Sequence, residues 1–452
     1  MNLNGKYVVV IGTKRSGKAS TELLVKRGAC VRALDAQPVS PEEQAAFGGM
    51  NVAVFAQNAE NLLNHGRRPD LIVLSPAVPY DLPLLVAARE SGTPVIGEVE
   101  LASYFLKGPV IGITGANGKT TTTALTGHLL AHCGIAAQVG GNIGTPVTAM
   151  IESSNEKTWN VLELSSFQLE TISRFRARIA ACLNVTPDHL DRHHTFSQYA
   201  AAKGRLFETQ QPGDCAVLNW DDSTCRDFAK RTPGQINWFS TAERGPNGMH
   251  LSGDEITWNG KPFLRQSQIP LRGLHNVENV MAASAIAHLA GAPLDGIGAG
   301  VQTFPGVEHR IEFVRTINGV DYFNDSKATN VDAALKAIEA FEQGLWLIMG
   351  GKDKGGDYGP LRKSLTRKAK GVLLIGVPPP YPYAAAPLIR NALDGTVSLV
   401  DCETLARAVE YAREHASPGD TVLLAPACAS FDQFENFEAR GRVFKQLVAE
   451  LF

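Results

Sequence analysis

Short, nearly continuous apolar runs rich in Val, Ile and Leu recur along the chain, each followed by a turn and a stretch of helical length: YVVVIG, LIVLSP, PVIGITG, NVLEL, LWLIMGG, GVLLIG and DTVLLAP. Strands that are apolar on both faces and alternate with helices predict parallel sheets covered on both sides. The segment from about 235 to 270 breaks this rhythm: QINWFS, GMHLSG, DEITWNG and KPFLRQ alternate strand-like runs with glycine turns, which predicts a small antiparallel sheet. SGTPVIGEVELASYFLKGP reads as a short strand, a helix and a Gly-Pro break, and suits a junction near residue 98. LAGAPLDGIGAGVQTFPGVEHR, rich in Gly and Pro, suits a second junction near 306. The expectation is an α/β chain of three domains, residues 1–97, 98–305 and 306–452, with a β insertion late in the second.

Length agrees with this division, since 452 residues exceed one ordinary core. With 44% hydrophobic residues, 19% charged and a net charge of -2, the composition is that of a globular protein, with no basic footprint for nucleic acid or an anionic membrane. No apolar run approaches the roughly 18 residues of a membrane span. The chain opens on the strand-like YVVVIG without the basic and apolar stretches of a signal peptide, so the cytoplasm is the expected compartment. Seven cysteines without C-x-x-C spacing suggest neither a disulfide frame nor a structural zinc site.

Candidate chemistry begins at VVVIGTKRSGKAS, a strand opening into a helix, with Asp35 closing the next strand. That spacing resembles a dinucleotide fingerprint, in which an acidic residue about 20 positions on binds a ribose. Gly12 and Gly17 are present, but Lys14 occupies the place of the glycine that lets backbone approach a pyrophosphate, which argues against NAD. A helix N-terminus with Lys14 and Arg15 nearby still makes an anion site, and a tight turn without any ligand is the competing reading. The stronger signal is GPVIGITGANGKTTTTALTGHLLAHCG, residues 108–134. The usual G-x-x-x-x-G-K-[ST] pattern fails because Ile113 stands five before Gly118, yet a buried strand runs into Gly115, Asn117 and Gly118 and then a helix. There the glycines let backbone N–H groups face an anion, Lys119 can reach outer phosphates, and the Thr120 and Thr121 hydroxyls can hold Mg²⁺. Glu163 lies in an apolar strand, His189 in a loop after another strand, and Lys203 on an Ala-rich helix. Taken singly, these three read equally well as an ion-paired carboxylate, an ordinary histidine and a solvated charge.

Together the motifs resemble the Mur ligase family, ATP-dependent amide-forming enzymes of peptidoglycan precursor synthesis, whose phosphate loop T-G-x-N-G-K-[ST]-[ST] matches TGANGKTT. The resemblance continues in order over nearly the whole chain through GGNIGTP, ELSSFQLE, NVTPDHLDRH, YAAAKGRLF, GLHNVENVMAA, GVEHRIE, NDSKATN, GGKDKG and PACASFDQFENFEARG. NDSKATN and PACASFDQF resemble the branch that adds D-glutamate, with another Mur-type ligase, a folylpolyglutamate synthase-like ligase or a non-catalytic nucleotide-binding protein as the alternatives.

The resemblance implies a Rossmann-like UDP-binding domain, a central P-loop-type ATPase domain and a C-terminal Rossmann-like α/β domain, acting as a monomer. It implies ATP, two Mg²⁺ ions and a carbamylated Lys203 as cofactors, and UDP-N-acetylmuramoyl-L-alanine and D-glutamate as substrates. By position, Gly115, Asn117, Gly118, Lys119, Thr120 and Thr121 would bind ATP, with His275, Asn276 and Asn279 on its adenine side and Arg310 and Asp325 from the third domain. Thr120, Glu163, His189 and carbamylated Lys203 would hold metal, and Asn142 would line the reacting centre with His189 and Ser165. Gly12, Arg15, Ser16, Asp35 and Ser75 would bind the UDP-sugar, and Lys327, Thr329, Lys354, Ser430 and Phe437 would surround D-glutamate. Lys14, Ala77 and Ala425 depart from the family pattern, which usually has Gly, Gly and Ser there.

Overall fold

The computed structural model describes residues 1–63, 66–241 and 247–451, which form two compact units, one of residues 1–269 with 275–304 and the other of 270–274 with 305–451.

Two sheets build the first unit. The N-terminal sheet is parallel and five-stranded, in the order Val54–Ala56, Cys30–Asp35, Tyr7–Ile11, Leu71–Leu74, Val95–Gly97. Its order reverses between Tyr7–Ile11 and Leu71–Leu74, where an open α/β sheet leaves a crevice for a ligand at its carboxyl edge. The nine-stranded sheet runs Ala137–Gly141, Trp159–Glu163, Val110–Thr114, Ile179–Cys182, Cys215–Asn219, Gln235–Ser240, Gly248–Ser252, Glu255–Trp258, Lys261–Arg265. Strand Val110–Thr114 therefore lies between Trp159–Glu163 and Ile179–Cys182, and the loops leaving all three converge at one edge.

The strands between 235 and 270 do not form the separate small antiparallel sheet expected from the sequence. They extend the nine-stranded sheet: Gln235–Ser240 pairs parallel with Cys215–Asn219 and with Gly248–Ser252, and only the last two pairings, those that Glu255–Trp258 makes with Gly248–Ser252 and with Lys261–Arg265, are antiparallel. Trp238 and Phe239, adjacent and therefore on opposite faces, are both buried, as in the other strands covered on two sides. Residues 242–246 of that segment lie outside the described residues.

One apolar core joins the two sheets, running from Leu23 and Leu24 through Val99, Leu101 and Ala102 to Met150, Ile151, Leu162 and Leu164. Two buried carboxylates fasten the helix Glu98–Ser103 into it. Glu98 accepts from Thr148 N at 2.7 Å and Thr148 Oγ1 at 2.8 Å, although burial still pushes its carboxyl up. Glu100 accepts from the backbone N–H groups of Ser173, Arg174 and Phe175 and from the Ser173 hydroxyl.

The second unit carries a six-stranded sheet ordered Glu312–Ile317, Val320–Asn324, Thr421–Leu424, Leu345–Gly350, Ala369–Ile375, Ser398–Glu403, parallel except for the first pair. Leu345, Leu347 and Met349 pack beneath helices Val331–Glu339, Leu361–Lys368 and Ala385–Leu393, while Trp346 and Ile348 face Leu405–His415 and Phe437–Ala449. Helices on both faces leave the loops at the carboxyl edge as the surface available for chemistry.

Candidate active site

The loop after Val110–Thr114 turns on Gly115, with φ +154°, and Gly118, with φ +84°. A Cβ on Gly118 would stand 2.1 Å from Asn279 Oδ1 and one on Gly115 would stand 3.1 Å from Leu183 Cβ, so packing as well as conformation calls for glycine. Asn184, unassigned at the sequence level although it lies within NVTPDHLDRH, holds the loop: its carbonyl accepts from Ala116 N at 2.9 Å and its Oδ1 from Asn117 N at 2.9 Å. Lys119 folds back over the loop and donates to the carbonyls of Gly115 and Ala116, both at 2.9 Å. On the helix Leu274–Leu289, Asn279 accepts from Thr122 Oγ1 at 3.3 Å and donates to Asn276 at 3.0 Å, which links these asparagines to the loop.

Glu163 ends the neighbouring strand and is 2% exposed. Its Oε1 accepts from Asn142 Nδ2 at 2.8 Å, while its buried Oε2 has no hydrogen-bond partner. The buried Thr121 hydroxyl is also unpartnered. A desolvated carboxylate oxygen without a donor is costly and fits a cation. Among the described residues no three His, Cys, Asp or Glu side chains converge as a metal group. Mg²⁺ suits such a place better than zinc, since it binds through one or two carboxylates and keeps phosphate oxygens and waters.

Lys203, 1% exposed, donates to the same Gly115 carbonyl at 2.8 Å and lies 4.6 Å from the Tyr199 ring centroid. Burial, reinforced by the Lys119 charge, brings its ammonium down to about 7. His189 sits beyond Tyr199, ring centroids 6.4 Å apart, with a half-exposed side chain and a left-handed backbone (φ +52°) at the start of Leu190–His193. Ser165 caps the short helix Ser166–Leu169 that follows Glu163.

At the carboxyl edge of the first sheet, Gly12 has φ +90°, and a Cβ on Gly17 would stand 1.7 Å from the Gly12 carbonyl, so the turn-and-packing part of the fingerprint is present. Asp35 is engaged by the protein itself: Oδ2 accepts from Thr13 N and Thr13 Oγ1, both at 2.8 Å, and Oδ1 from Gln37 N at 3.0 Å. Burial pushes its carboxyl up, but these donors and Lys14 outweigh it and the net direction is down. Ser75 donates to the Gly12 carbonyl at 2.8 Å, Ser16 lies in the first turn of the helix, and Arg15 donates to the Gly144 carbonyl. Lys14 points to solvent and pairs with Glu43 at 2.7 Å.

In the second unit, the loops after Val320–Asn324, Leu345–Gly350 and Thr421–Leu424 carry Asp325, Lys327, Thr329, Lys354 and Ser430. Burial raises Asp325 to about 6 against the pull of Arg310, whose buried Nε has no partner. Lys327 Nζ lies 5.7 Å from the Phe437 ring centroid. Arg440 lies within PACASFDQFENFEARG but has no role assigned at the sequence level, because an arginine on an amphipathic helix reads as a solvated charge. It is 1% exposed, donates to Ser326 Oγ at 3.0 Å, Ser326 O at 2.9 Å and Cys428 O at 3.3 Å, and so clamps the NDSKATN and PACAS loops together. His275 lies on Leu274–Leu289 in the first unit, and Ala425 is fully buried at a strand end.

The chain matches two family descriptions, the Mur ligase middle domain over residues 113–287 and the Mur ligase glutamate ligase domain over 309–428. It is 56% identical to the UDP-N-acetylmuramoylalanine--D-glutamate ligase of Solibacter usitatus, covering 99% of this chain and 98% of that one. It is 47% identical to the enzyme of the same name from Koribacter versatilis, covering 100% and 99%. Among solved structures, it resembles a UDP-N-acetylmuramate-alanine ligase from Thermotoga maritima, with a TM-score of 0.61 at 20% identity over 98% of this chain and 99% of that one. A pseudomurein peptide ligase type C from Methanothermus fervidus follows, with a TM-score of 0.60 at 17% identity over 99% and 100%.

Proposed function

We propose that this chain, which belongs to the Mur ligase family, is an ATP-dependent ligase that joins D-glutamate to UDP-N-acetylmuramoyl-L-alanine. The observation that carries the reading is a phosphate loop flanked by an unpartnered Glu163 oxygen and a depressed Lys203, in a chain so similar over its full length to D-glutamate ligases.

A carboxylate is a poor electrophile for an amine, so the reaction needs the γ-phosphoryl group moved onto the alanyl carboxylate before D-glutamate attacks. Lys119 and the N–H groups of the 115–118 loop would bind and orient the phosphates, with Thr120 and Thr121 beside them and His275, Asn276 and Asn279 toward the adenine. Mg²⁺, two ions in this reading, would supply charge neutralisation and be held by Thr120, Glu163, His189 and a carbamylated Lys203. The depressed Lys203 supports that modification, because an amine with a pKa of about 7 is roughly half neutral at pH 7 and only the neutral amine attacks CO₂. Asn142 would line the reacting centre with Ser165.

Residues 1–97 would act as the UDP-sugar domain through Gly12, Arg15, Ser16, Asp35 and Ser75. Asp35 also shapes the turn by accepting from Thr13 and Gln37, and its Oδ1, which takes one of those donors, keeps acceptor capacity for the ligand. Residues 98–305 would form the ATPase domain, and residues 306–452 would take D-glutamate through Lys327, Thr329, Lys354, Ser430 and Phe437. The protein would work as a monomer in the cytoplasm.

The test is phosphate release by purified protein with ATP and Mg²⁺, offering UDP-N-acetylmuramoyl-L-alanine or a folate as acceptor, each with D-glutamate, L-glutamate, L-alanine or a diamino acid. Release is expected only with the UDP-sugar and D-glutamate. Equal release with another pair, or none with this one, overturns the reading.

A further inference from the structure

We infer that Arg192 is a positioning residue that ties the turn at Ser75–Val78, which follows strand Leu71–Leu74 of the first sheet, to the His189 segment of the second. Its guanidinium donates to the Val78 carbonyl at 2.9 Å, to the Ala77 carbonyl at 3.4 Å and to Glu170 Oε2 at 2.9 Å, and lies 4.9 Å from the Phe167 ring centroid. Only 12% of the side chain is exposed. The next residue, His193, is buried, bonds Ser166 Oγ at 2.9 Å and faces Glu170 Oε1 at 3.2 Å. Glu170 therefore joins Arg192 and His193, which share the short helix Leu190–His193 just after His189, to the Ser165–Glu170 turn that follows Glu163. The contact is close elsewhere along the seam: a Cβ on Gly97 would stand 2.1 Å from Thr171 Oγ1.

A planar five-donor guanidinium can serve two carbonyls and a carboxylate at once, which an ammonium on the same stem cannot do in this geometry. The consequence rests on the function proposed above. The acceptor would place its UDP end at the first sheet and its reacting carboxylate at the 115–118 loop, so the separation of the two sites sets its alignment. Fixing the turn against the His189 segment preforms that separation, and a misplacement of about 1 Å can cost on the order of 10²-fold in rate.

The experiment compares full-length wild type with Arg192→Ala, Arg192→Lys and Glu170→Gln, measuring kcat, each substrate's KM, UDP affinity by calorimetry and thermal melting. Arg192→Ala is expected to lower kcat at least ~10-fold while UDP affinity and the KM values for ATP and D-glutamate stay within about 3-fold. Arg192→Lys should recover only a small part of the loss, and Glu170→Gln, which leaves the carbonyl contacts, should lose less than Arg192→Ala. A kcat for Arg192→Ala within about 2-fold of wild type overturns the inference, as does a loss shared equally by ATP binding. Should Arg192→Ala fail to fold, Arg192→Lys decides: wild-type kcat refutes positioning and a lowered kcat with unchanged ATP KM supports it. Inactive wild type would instead overturn the function itself.

Discussion

Replacing Lys203 with methionine should stabilise the ligand-free protein while removing its activity. The stem of Lys203 is packed in the first unit with its ammonium brought from 10.5 to about 7, chiefly by burial. At ~1.36 kcal/mol per tenfold, that displacement corresponds to ~5 kcal/mol of unfavourable charging below pH 7, an upper value for a buried group. Methionine keeps the apolar stem and removes the charge. The lost hydrogen bond costs ~1 kcal/mol and strands no acceptor, because Lys119 also donates to the Gly115 carbonyl. Losing the Tyr199 contact costs ~1 kcal/mol more. A net gain of ~2–3 kcal/mol at pH 6 is expected for Lys203→Met. The folded pKa lies below the unfolded one, so above pH 7 the unfolded chain holds a proton that the folded protein has lost, and wild-type stability rises with pH up to about 10.5. Between pH 6 and 8.5 the advantage of Lys203→Met should therefore shrink by ~2 kcal/mol. Urea unfolding in CO₂-free buffer, followed by tryptophan emission, is the assay, since Trp159, Trp220, Trp238 and Trp258 lie in the first unit and only Trp346 in the second. A difference that stays constant from pH 6 to 8.5 would refute the argument. Lys203→Arg should also be inactive, because arginine keeps the charge and forms no stable carbamate.

Glu163→Gln removes the carboxylate whose Oε2 has no partner and should leave melting unchanged or raised while lowering kcat at least ~10²-fold, with Mn²⁺ affinity by calorimetry as a second readout. Gly118→Ala places a Cβ 2.1 Å from Asn279 Oδ1 at φ +84° and should destabilise the protein by ~1–3 kcal/mol in urea titration, with weaker ATP binding; adding Asn279→Ala should recover part of the stability. Lys354→Ala should raise the D-glutamate KM at least ~10-fold and the ATP KM less than about 3-fold, because a dianionic substrate depends on a cation, and equal rises would remove Lys354 from the amino-acid site.

What the sequence made legible follows the physics of short-range signals. The parallel strands could be read because burial on both faces leaves a continuous apolar run, and the phosphate loop because Gly115 and Gly118 have backbone angles that other residues rarely adopt. The outer strands of the nine-stranded sheet were misread because alternation with glycine turns looks the same in a separate sheet and in an extension of a larger one. Asp35 stands at the fingerprint position, but spacing does not say that a carboxylate there also accepts from Thr13 and Gln37. Arg192 and Arg440 lie furthest from sequence-level reach. Arg192 meets Val78 across 114 positions and Arg440 meets Ser326 across another 114, so their burial depends on tertiary packing that no window reveals.

Several polar groups of the candidate site are left poorly compensated by the fold. In the first unit the Glu163 oxygen and the Thr121 hydroxyl are buried without partners, and the Lys203 ammonium is destabilised. In the second, Asp325 is raised to about 6 and Arg440 lowered to about 10, both by burial. A sequence optimised for stability alone would place apolar side chains in such positions, since an unpaired buried charge opposes folding. Arg440 is explained by the two loops it clamps, whereas the unpartnered Glu163 oxygen and the disfavoured Lys203 charge have no such internal account. Cations and phosphate oxygens arriving at the 115–118 loop would satisfy the first and favour modification of the second. Ligand binding and stability are then coupled through the same few atoms, and the free protein is less stable because the site is built for the bound state.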